Sequence, residues 1–352
     1  MTHPDPVNLS DCERLLIVKP SSLGDIVHTL PAAEALHRAA PKAKIDWLVN
    51  SEWSPILDGV PFLHRIVNFP RRELRGLGGL LRGRAWAKRE LKPTGYDLAV
   101  DFQGLFRSAY LSRRTGASMV AGFRHSREGA RFFYDRSVEV PGWDRRHAVD
   151  RNLSLAVSIG AEPGEPVFSL PPGKIPEALP RFEGRPVLLH PFSRGEGKSL
   201  SIAEIRELCE YLAPHPVLLV GIPGRPINVG WPENVVDLLG KTSLAELIHL
   251  LRLAAWTLSV DSGPMHLAAG VSDRVLAIHT WSNPAMVGPC RPDAWIWREG
   301  RLVRVGDLDP EEFPERRDLA RIHAGRERLL GPEAPAEIAG FIHCRLADLS
   351  DA

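Results

Sequence analysis

The chain has 352 residues, 44% of them hydrophobic, and a net charge of +1, which is apolar material for about two domains of ordinary size and too much for a disordered chain. Its four cysteines (Cys12, Cys209, Cys290, Cys344) lie far apart with no Cys-x-x-Cys or Cys/His ligand spacing, which suggests neither a disulfide framework nor a zinc site and favours a reducing cytoplasm. No segment approaches the roughly 20 apolar residues of a membrane span, and the polar start over 1–11 lacks the apolar core of a signal peptide, so a soluble protein, at most peripheral to a membrane, is expected.

Residues 14–19, Arg-Leu-Leu-Ile-Val-Lys, read as a short buried strand, and apolar spacing over 26–37 predicts a helix. The intervening Pro20-Ser21-Ser22-Leu23-Gly24-Asp25 opens that helix and places Asp25 at or near its N-cap. Capping is the commonest role of an aspartate there. Gly24 also lets a ligand approach the backbone, and α/β proteins bind at the carboxyl ends of parallel strands, so Asp25 is equally a candidate general base. The two roles are compatible, because a helix N-terminus favours an ionised carboxylate. A dinucleotide fingerprint needs three glycines here and this loop has one, which disfavours a nicotinamide oxidoreductase.

Further strands are predicted at 44–50 and 97–102. Between them, residues 71–92 carry eight Lys and Arg against Glu73 and Glu90. Charge is divided unevenly, with 25 Lys and Arg against 19 Asp and Glu over 1–175, and 19 against 24 over 176–352. The basic stretch reads either as a solvated helical face or as a patch for an anionic partner such as phosphate or a membrane surface. Trp86 is its one aromatic residue, so a stacking platform for nucleic acid is not expected. Seven prolines (Pro163, Pro166, Pro171, Pro172, Pro176, Pro180, Pro186) then mark a linker. Strands at 186–190, 217–221, 257–260 and 275–279 alternate with helical patterns, which predicts two Rossmann-like α/β domains facing one cleft, over 1–175 and 176–334. A last helix is predicted over 335–346 with its docking open.

Three segments follow strands of the second half. His190-Pro-Phe-Ser-Arg-Gly-Glu-Gly-Lys198 is either a plain surface loop or a diphosphate site, since Ser193, Arg194 and Lys198 all donate to phosphate oxygens. Val260-Asp261-Ser262-Gly263-Pro264-Met265-His266 is a strand, a tight loop and a helix start, whose backbone N–H groups suit an anion; His266 is either structural or part of that site. Leu239-Gly240-Lys241-Thr242-Ser243 is a turn entering a helix, placed to meet a base or ribose; it lacks the upstream glycine and strand of a P-loop. Asp307-Leu308-Asp309 has no buried strand before it, so a metal-nucleotide role is not expected.

Taken together, these blocks resemble the ADP-heptose:lipopolysaccharide heptosyltransferases, glycosyltransferase family 9, with the heptosyltransferase I branch most similar. The resemblance runs through LLIVKPSSLGDIVHTLPA at 15–32, KIDWLV at 44–49, FPRR at 69–72 and YDLAVDFQGLFRSA at 96–109. It continues in HAVDRN at 147–152, the 193–198 loop, GKTSL at 240–244 and SVDSGPMHLAA at 259–269. It implies a GT-B fold, with an acceptor domain over 1–175 and a nucleotide-sugar domain over 176–334, and an inverting transfer of heptose from ADP-heptose to the Kdo-lipid A inner core. By position, it implies Asp25 as general base and Lys198 as the cation on the leaving diphosphate. Ser193, Thr242, Asp261, Ser262, Gly263 and His266 fall at donor positions, with Arg194 an added cation where relatives carry a hydroxyl. Ser22, Gly24, Arg71, Arg72, Arg75, Gln103, Arg107 and Arg127 become acceptor candidates. No cofactor, metal or nucleic acid is implied, and a cytoplasmic protein in peripheral contact with the inner membrane is. The chain departs from the family pattern at Ser199-Leu200, at 223–231 and at 277–284, which leaves open a related transferase with another nucleotide-sugar and surface glycan. A non-catalytic binder of nucleotide-sugar or anionic glycolipid is the other alternative.

Overall fold

The computed structural model describes residues 8–69, 71, 76, 78–177, 179–195, 197–324 and 327–350, and the chain divides into two compact units, Met1–Pro171 and Pro172–Ala352. In the first, β1 (Arg14–Val18), α1 (Leu23–Ala39), β2 (Lys44–Asn50), β3 (Leu63–Phe69), α2 (Gly79–Glu90), β4 (Leu98–Asp101), α3 (Phe106–Arg114), β5 (Met119–Phe123), β6 (Arg136–Val138) and α4 (Ala148–Ser158) follow one another. The six strands are all parallel, in the order β3-β2-β1-β4-β5-β6. Helices cover both faces of such a sheet, so its central strands are apolar throughout: Leu15, Leu16, Ile17 and Val18 are fully buried. The helix expected from residue 26 begins three residues earlier. Ser22 is its N-cap and Asp25 its third residue, and the two form a capping box. Strands β3, β5 and β6 were not anticipated from the sequence; β3 lies at the sheet edge, exposing His64, Arg65 and Asn68 and burying Val67 and Phe69.

The second unit comprises β7 (Val187–His190), α5 (Ile202–Tyr211), β8 (Val217–Leu219), β9 (Val235–Asp237), α6 (Leu244–Leu253), β10 (Trp256–Val260), α7 (Gly263–Val271), β11 (Val275–Ile278), α8 (Pro284–Val287), β12 (Trp295–Arg298), β13 (Arg301–Arg304), α9 (Arg317–Ala324) and α10 (Ala334–Ser350). Its sheet runs β13-β12-β11-β10-β7-β8-β9, parallel except for β13. The helix whose docking was open, α10, belongs to this unit. Its Ile338, Ala339, Ile342 and Leu346 enter the core with Leu208, Cys209 and Leu212 of α5 and its C-cap, and His343 Nε2 lies 2.8 Å from the Tyr211 carbonyl.

The two sheets share one winding order. From its first strand each chain segment builds outwards through two further strands, then crosses back to the other side of the first, so that β1 lies between β2 and β4 and β7 between β8 and β10. The loops after β1 and β4, and after β7 and β10, therefore leave a topological switch point, where diverging connections open a crevice at the carboxyl ends of the strands.

Candidate functional site

At the first switch point, Asp25 Oδ2 accepts hydrogen bonds from Ser22 N at 2.9 Å and Ser22 Oγ at 2.7 Å. Its carbonyl accepts from Thr29 Oγ1 at 2.8 Å. Asn152 of α4 then donates to the His28 carbonyl at 3.0 Å and to Thr29 Oγ1 at 3.2 Å, both buried, so the turn carrying Asp25 is pinned to α4. The preceding residue, Arg151, stacks its guanidinium 4.8 Å from the centre of the Trp143 ring, whose plane also stacks on His125 at 4.8 Å. Burial pulls the Arg151 pKa down, while the charges of Asp25, Asp144 and Asp150 favour its ionised form. Asp25 is thus a half-buried carboxylate facing a stacked cation.

The loop after β4 braces the same point. Asp101 is fully buried and accepts from Ser108 Oγ at 2.8 Å, Tyr134 Oη at 2.8 Å, Gln103 N at 2.9 Å and Gly104 N at 3.2 Å. Burial nonetheless pushes its pKa up against those four donors. The loop so held presents Gln103 Oε1 to Ser21 N at 3.2 Å, and Lys19 Nζ donates to the Phe102 carbonyl at 3.0 Å. The structure therefore brings together Ser22, Gly24, Asp25 and Gln103, with Ser22 and Gln103 shaping the loop. Arg127 joins through its backbone, which donates to the Gly104 carbonyl at 2.9 Å, and its side chain is exposed. Arg107 is exposed and lines a surface groove between α2 and α3 with Phe69, Leu80 and Tyr110. Arg71 is exposed just past β3, two strands out from β1, while Arg72 and Arg75 lie outside the described residues.

At the second switch point, the loop after β7 closes on itself. Ser193 N donates to Ser199 Oγ at 2.9 Å, Gly195 N donates to Ser193 Oγ at 3.1 Å, and Ser193 Oγ donates to the Asp261 carbonyl at 3.2 Å. Gly197, at φ +67°, packs against the Ala320 carbonyl and His323 of α9, and its carbonyl accepts from Thr280 Oγ1 at 2.9 Å. Lys198 leaves this loop to pair with the Asp261 carboxylate, their side chains 13% and 7% exposed. Its ammonium also sits 4.2 Å from the centre of the Trp281 ring. Ser282 Oγ donates to the same Asp261 oxygen and lies 3.1 Å from His279 Nδ1. Burial would push Asp261 up, but the groups facing it win and hold it at about 2. His279 is buried and pushed down to about 4, so it is neutral at pH 7 and the positive charge opposite Asp261 is that of Lys198.

Ser262 caps α7 without using its side chain on the helix; its Oγ lies 3.3 Å from Nδ1 of the buried His190, which burial pushes down to about 4. The Gly263 amide opens α7 beside the Lys198 loop, a position suited to an anion; Pro264 has no N–H and Met265 N donates to the Ser262 carbonyl at 3.1 Å. His266 is buried in the first turn. Arg194 is exposed on the loop. Thr242 precedes the Ser243 cap of α6, in a turn tied to the loop after β8 by Gly240 N donating to the Gly221 carbonyl at 2.8 Å. Asp309 caps a surface turn, accepting from Glu311 N at 2.8 Å. Among the described residues no cluster of three His, Cys, Asp or Glu side chains is placed to hold a metal ion.

Residues 84–303 match the model of glycosyltransferase family 9 (heptosyltransferase), and the chain is 32% identical over 304 residues to lipopolysaccharide heptosyltransferase 1 of Pseudomonas aeruginosa, covering 78% of this chain and 81% of that one. The chain belongs to glycosyltransferase family 9. Lipopolysaccharide heptosyltransferase 1 of Escherichia coli K12 is 29% identical over 310 residues, 82% of this chain and 94% of the relative. Among solved structures, E. coli heptosyltransferase WaaC with ADP superposes at a TM-score of 0.67 with 24% identity, covering 84% of this chain and 96% of its own. E. coli ADP-heptose lps heptosyltransferase II superposes at 0.62 with 20% identity over 88% and 96%. The fold is GT-B, with its two Rossmann-like units, and the enzyme is a glycosyltransferase.

For a family 9 enzyme the residues that sequence reasoning passed over are the supports. Arg151 and Asn152 were present in the HAVDRN block as part of the resemblance, without a role. Trp281 and Ser282 lie in the 277–284 segment, noticed for its departure from the family pattern. Arg298 is fully buried in β12 and carried no local signal at all; its Nη1 donates to the Ser282 carbonyl at 2.7 Å.

Proposed function

We propose that this glycosyltransferase is an inverting heptosyltransferase that moves heptose from ADP-heptose to the Kdo-lipid A inner core of lipopolysaccharide, with the acceptor on the first unit and the donor on the second. The single observation that carries the mechanism is the pairing of functions at the two switch points: an oriented carboxylate, Asp25, at one, and a buried ammonium, Lys198, beside a helix N-terminus at the other. Support for the substrates comes from the relatives, named for heptose transfer to lipopolysaccharide, and from a solved neighbour holding ADP-2-deoxy-2-fluoro heptose.

In the reaction the acceptor hydroxyl oxygen bonds to the sugar C1 as its proton passes to Asp25. The C1–O bond to the diphosphate breaks, and the electron pair leaves with ADP. Negative charge grows on the diphosphate as this bond stretches. Lys198, Arg194 and the Gly263 amide at the start of α7 stabilise that charge more in the transition state than in the ground state. Ser193, Thr242, Asp261, Ser262, Gly263 and His266 hold the donor; Ser22, Gly24, Gln103, Arg71, Arg72, Arg75, Arg107 and Arg127 serve the anionic acceptor. The acceptor is a lipid, and α2 suits the surface that presents it. Leu80 and Leu81 are exposed there beside Arg82, Arg84, Lys88 and Arg89, a combination that favours an anionic bilayer face. No helix among the described residues is long and apolar enough to cross a membrane, and the expected place of action is the cytoplasmic face of the inner membrane.

The test is Asp25→Asn, which keeps the side chain's size. Loss of base catalysis is expected to lower transfer about 10²- to 10⁴-fold, with ADP affinity changed by no more than a few-fold; near wild-type turnover would remove Asp25 from the role. The departure at 223–231 favours checking a second reading, a different nucleotide-sugar. A ligand at 100 times its Kd adds about 2.7 kcal/mol of stability, so thermal stabilisation by UDP- or GDP-sugars and not by ADP compounds would overturn the named donor.

A further inference from the structure

Lysine is a poor residue for aiming a charge. Its four-carbon stem is flexible and its ammonium prefers water, yet Lys198 is nearly buried and gripped from two sides. One grip is the Asp261 carboxylate and the other is the face of the Trp281 indole, 4.2 Å from ring centre to Nζ. Both belong to a chain of supports running back into the unit. Ser282 donates its hydroxyl proton to Asp261 Oδ2, so the His279 nitrogen 3.1 Å from Ser282 Oγ must donate to that oxygen. A neutral imidazole does so from Nδ1–H. The backbone around them is equally constrained. The Trp281 carbonyl accepts from Arg316 N at 2.7 Å, and the Ser282 carbonyl accepts from Arg298 Nη1, whose guanidinium also binds the Phe313 and Pro314 carbonyls at 3.2 and 3.0 Å. Thr280 Oγ1 reaches across to the Gly197 carbonyl, one residue before the lysine.

We infer that Trp281 and Ser282 are positioning residues for the leaving-group ammonium: the indole face and the Ser282-oriented carboxylate of Asp261 hold Lys198 Nζ in place before the donor arrives. The inference rests on the reading of Lys198 as the cation on the departing diphosphate. Each grip has a distinct task. The indole attracts the cation through its ring quadrupole without supplying a full negative charge, so it steadies Nζ while leaving its charge available to a phosphate. Ser282 occupies a lone pair of Asp261 Oδ2 and thereby limits how the carboxylate rotates. Trp281 touches the lysine, and through it the diphosphate; no step of bond making passes through Trp281 or Ser282.

The experiment is a double-mutant cycle on transfer kinetics and on ADP binding by the full chain, with Trp281→Leu, Trp281→Phe and Ser282→Ala, each alone and combined with Lys198→Met. Trp281→Leu is expected to lower kcat about tenfold or more with acceptor KM within twofold, Trp281→Phe to stay within threefold of wild type because it keeps an aromatic face, and Ser282→Ala to fall between them. ADP affinity is expected to weaken in Trp281→Leu more than AMP affinity does. In the Lys198→Met background none of the three is expected to cost more than a further twofold. An equal loss from Trp281→Leu with and without the lysine, or Trp281→Phe as damaging as Trp281→Leu, would overturn the inference while Lys198→Met still showed the lysine's importance. Unaltered transfer by Lys198→Met would overturn the leaving-group role itself, and the inference with it. Ser282→Ala and Trp281→Phe are mild enough to keep the cycle readable if Trp281→Leu lowers the melting temperature.

Discussion

Two of the buried histidines of the second unit, His190 and His279, make its stability depend on pH in a direction opposite to that of a histidine paired with a carboxylate. His190 and His279 are each pushed by burial from near 6.5 down to about 4. Between those values the unfolded chain takes up protons that the folded unit refuses, so stability falls as pH drops from about 7 towards 4 and levels off below that. With these values each histidine costs about 2 kcal/mol at pH 5 relative to pH 8, and about 3 kcal/mol once the loss is complete. Two of them together remove about 4 kcal/mol at pH 5, a large part of the 5–15 kcal/mol that typically holds a domain. Asp261 does not enter this window. Its depressed pKa of about 2 gives stability that is complete above its ordinary value near 3.8 and lost only between there and 2. Urea unfolding of wild type and His279→Gln, followed by tryptophan fluorescence at pH 8, 6.5 and 5, isolates one of the two. Wild type is expected to lose about 2 kcal/mol more than the variant between pH 8 and 5. Parallel losses would show that His279 does not titrate in that window. A wild type that gains stability relative to the variant on acidification would mean that the Asp261 carboxylate, 3.9 Å from Nδ1, outweighs burial and keeps His279 charged.

Two glycines test how the switch-point loops are built. A Cβ at Gly122 would lie 2.5 Å from ring atoms of Tyr134, the residue that donates to buried Asp101; Gly122→Ala is expected to cost about 2–4 kcal/mol in urea unfolding from overpacking and a weakened charged hydrogen bond, and a loss below about 0.5 kcal/mol would show the tyrosine free to move. Gly197→Ala meets both a left-handed φ and the Ala320 carbonyl; ADP affinity is expected to fall about tenfold, measured by calorimetry, and unchanged affinity would separate the backbone at 197 from the placing of Lys198.

What could be read in advance was whatever lies close together along the chain. The buried strands at 14–18 and 187–190 announce themselves because a parallel sheet covered on both faces selects apolar residues without interruption, and Asp25 was legible because the turn from strand to helix is local. The capping box at Ser22 was also there to be read, as a serine three residues before an acid, and neglecting it misplaced the start of α1 by three residues. Lys198 and Asp261 were each singled out, but the pairing of side chains across the sheet was not legible. Lys198 and its partner Asp261 are 63 positions apart, and Arg298 in β12 looks like a solvent-facing residue although it is 1% exposed and tied to three loop carbonyls.

The strand order explains why such distant residues meet. Because β10 pairs with β7 and β11 with β10, the three loops starting at residues 191, 261 and 279 leave neighbouring strands about 5 Å apart, and Lys198, further along the first loop, meets Asp261 at the first position of the second. A lysine, an aspartate and a histidine with two hydroxyls meet there with their charges balanced, neutral histidine against serine and ammonium against carboxylate. Removing the lysine alone would leave Asp261 charged beside the Ser282 hydroxyl and the neutral His279, which is costly in so buried a place. Lys198→Met should therefore raise the Asp261 pKa as well as weaken transfer, whereas Lys198→Met with Asp261→Asn removes both charges and should restore stability without restoring transfer. Melting temperatures of the two variants measured at pH 7 decide it: a double variant less stable than Lys198→Met would mean that the pair is not coupled.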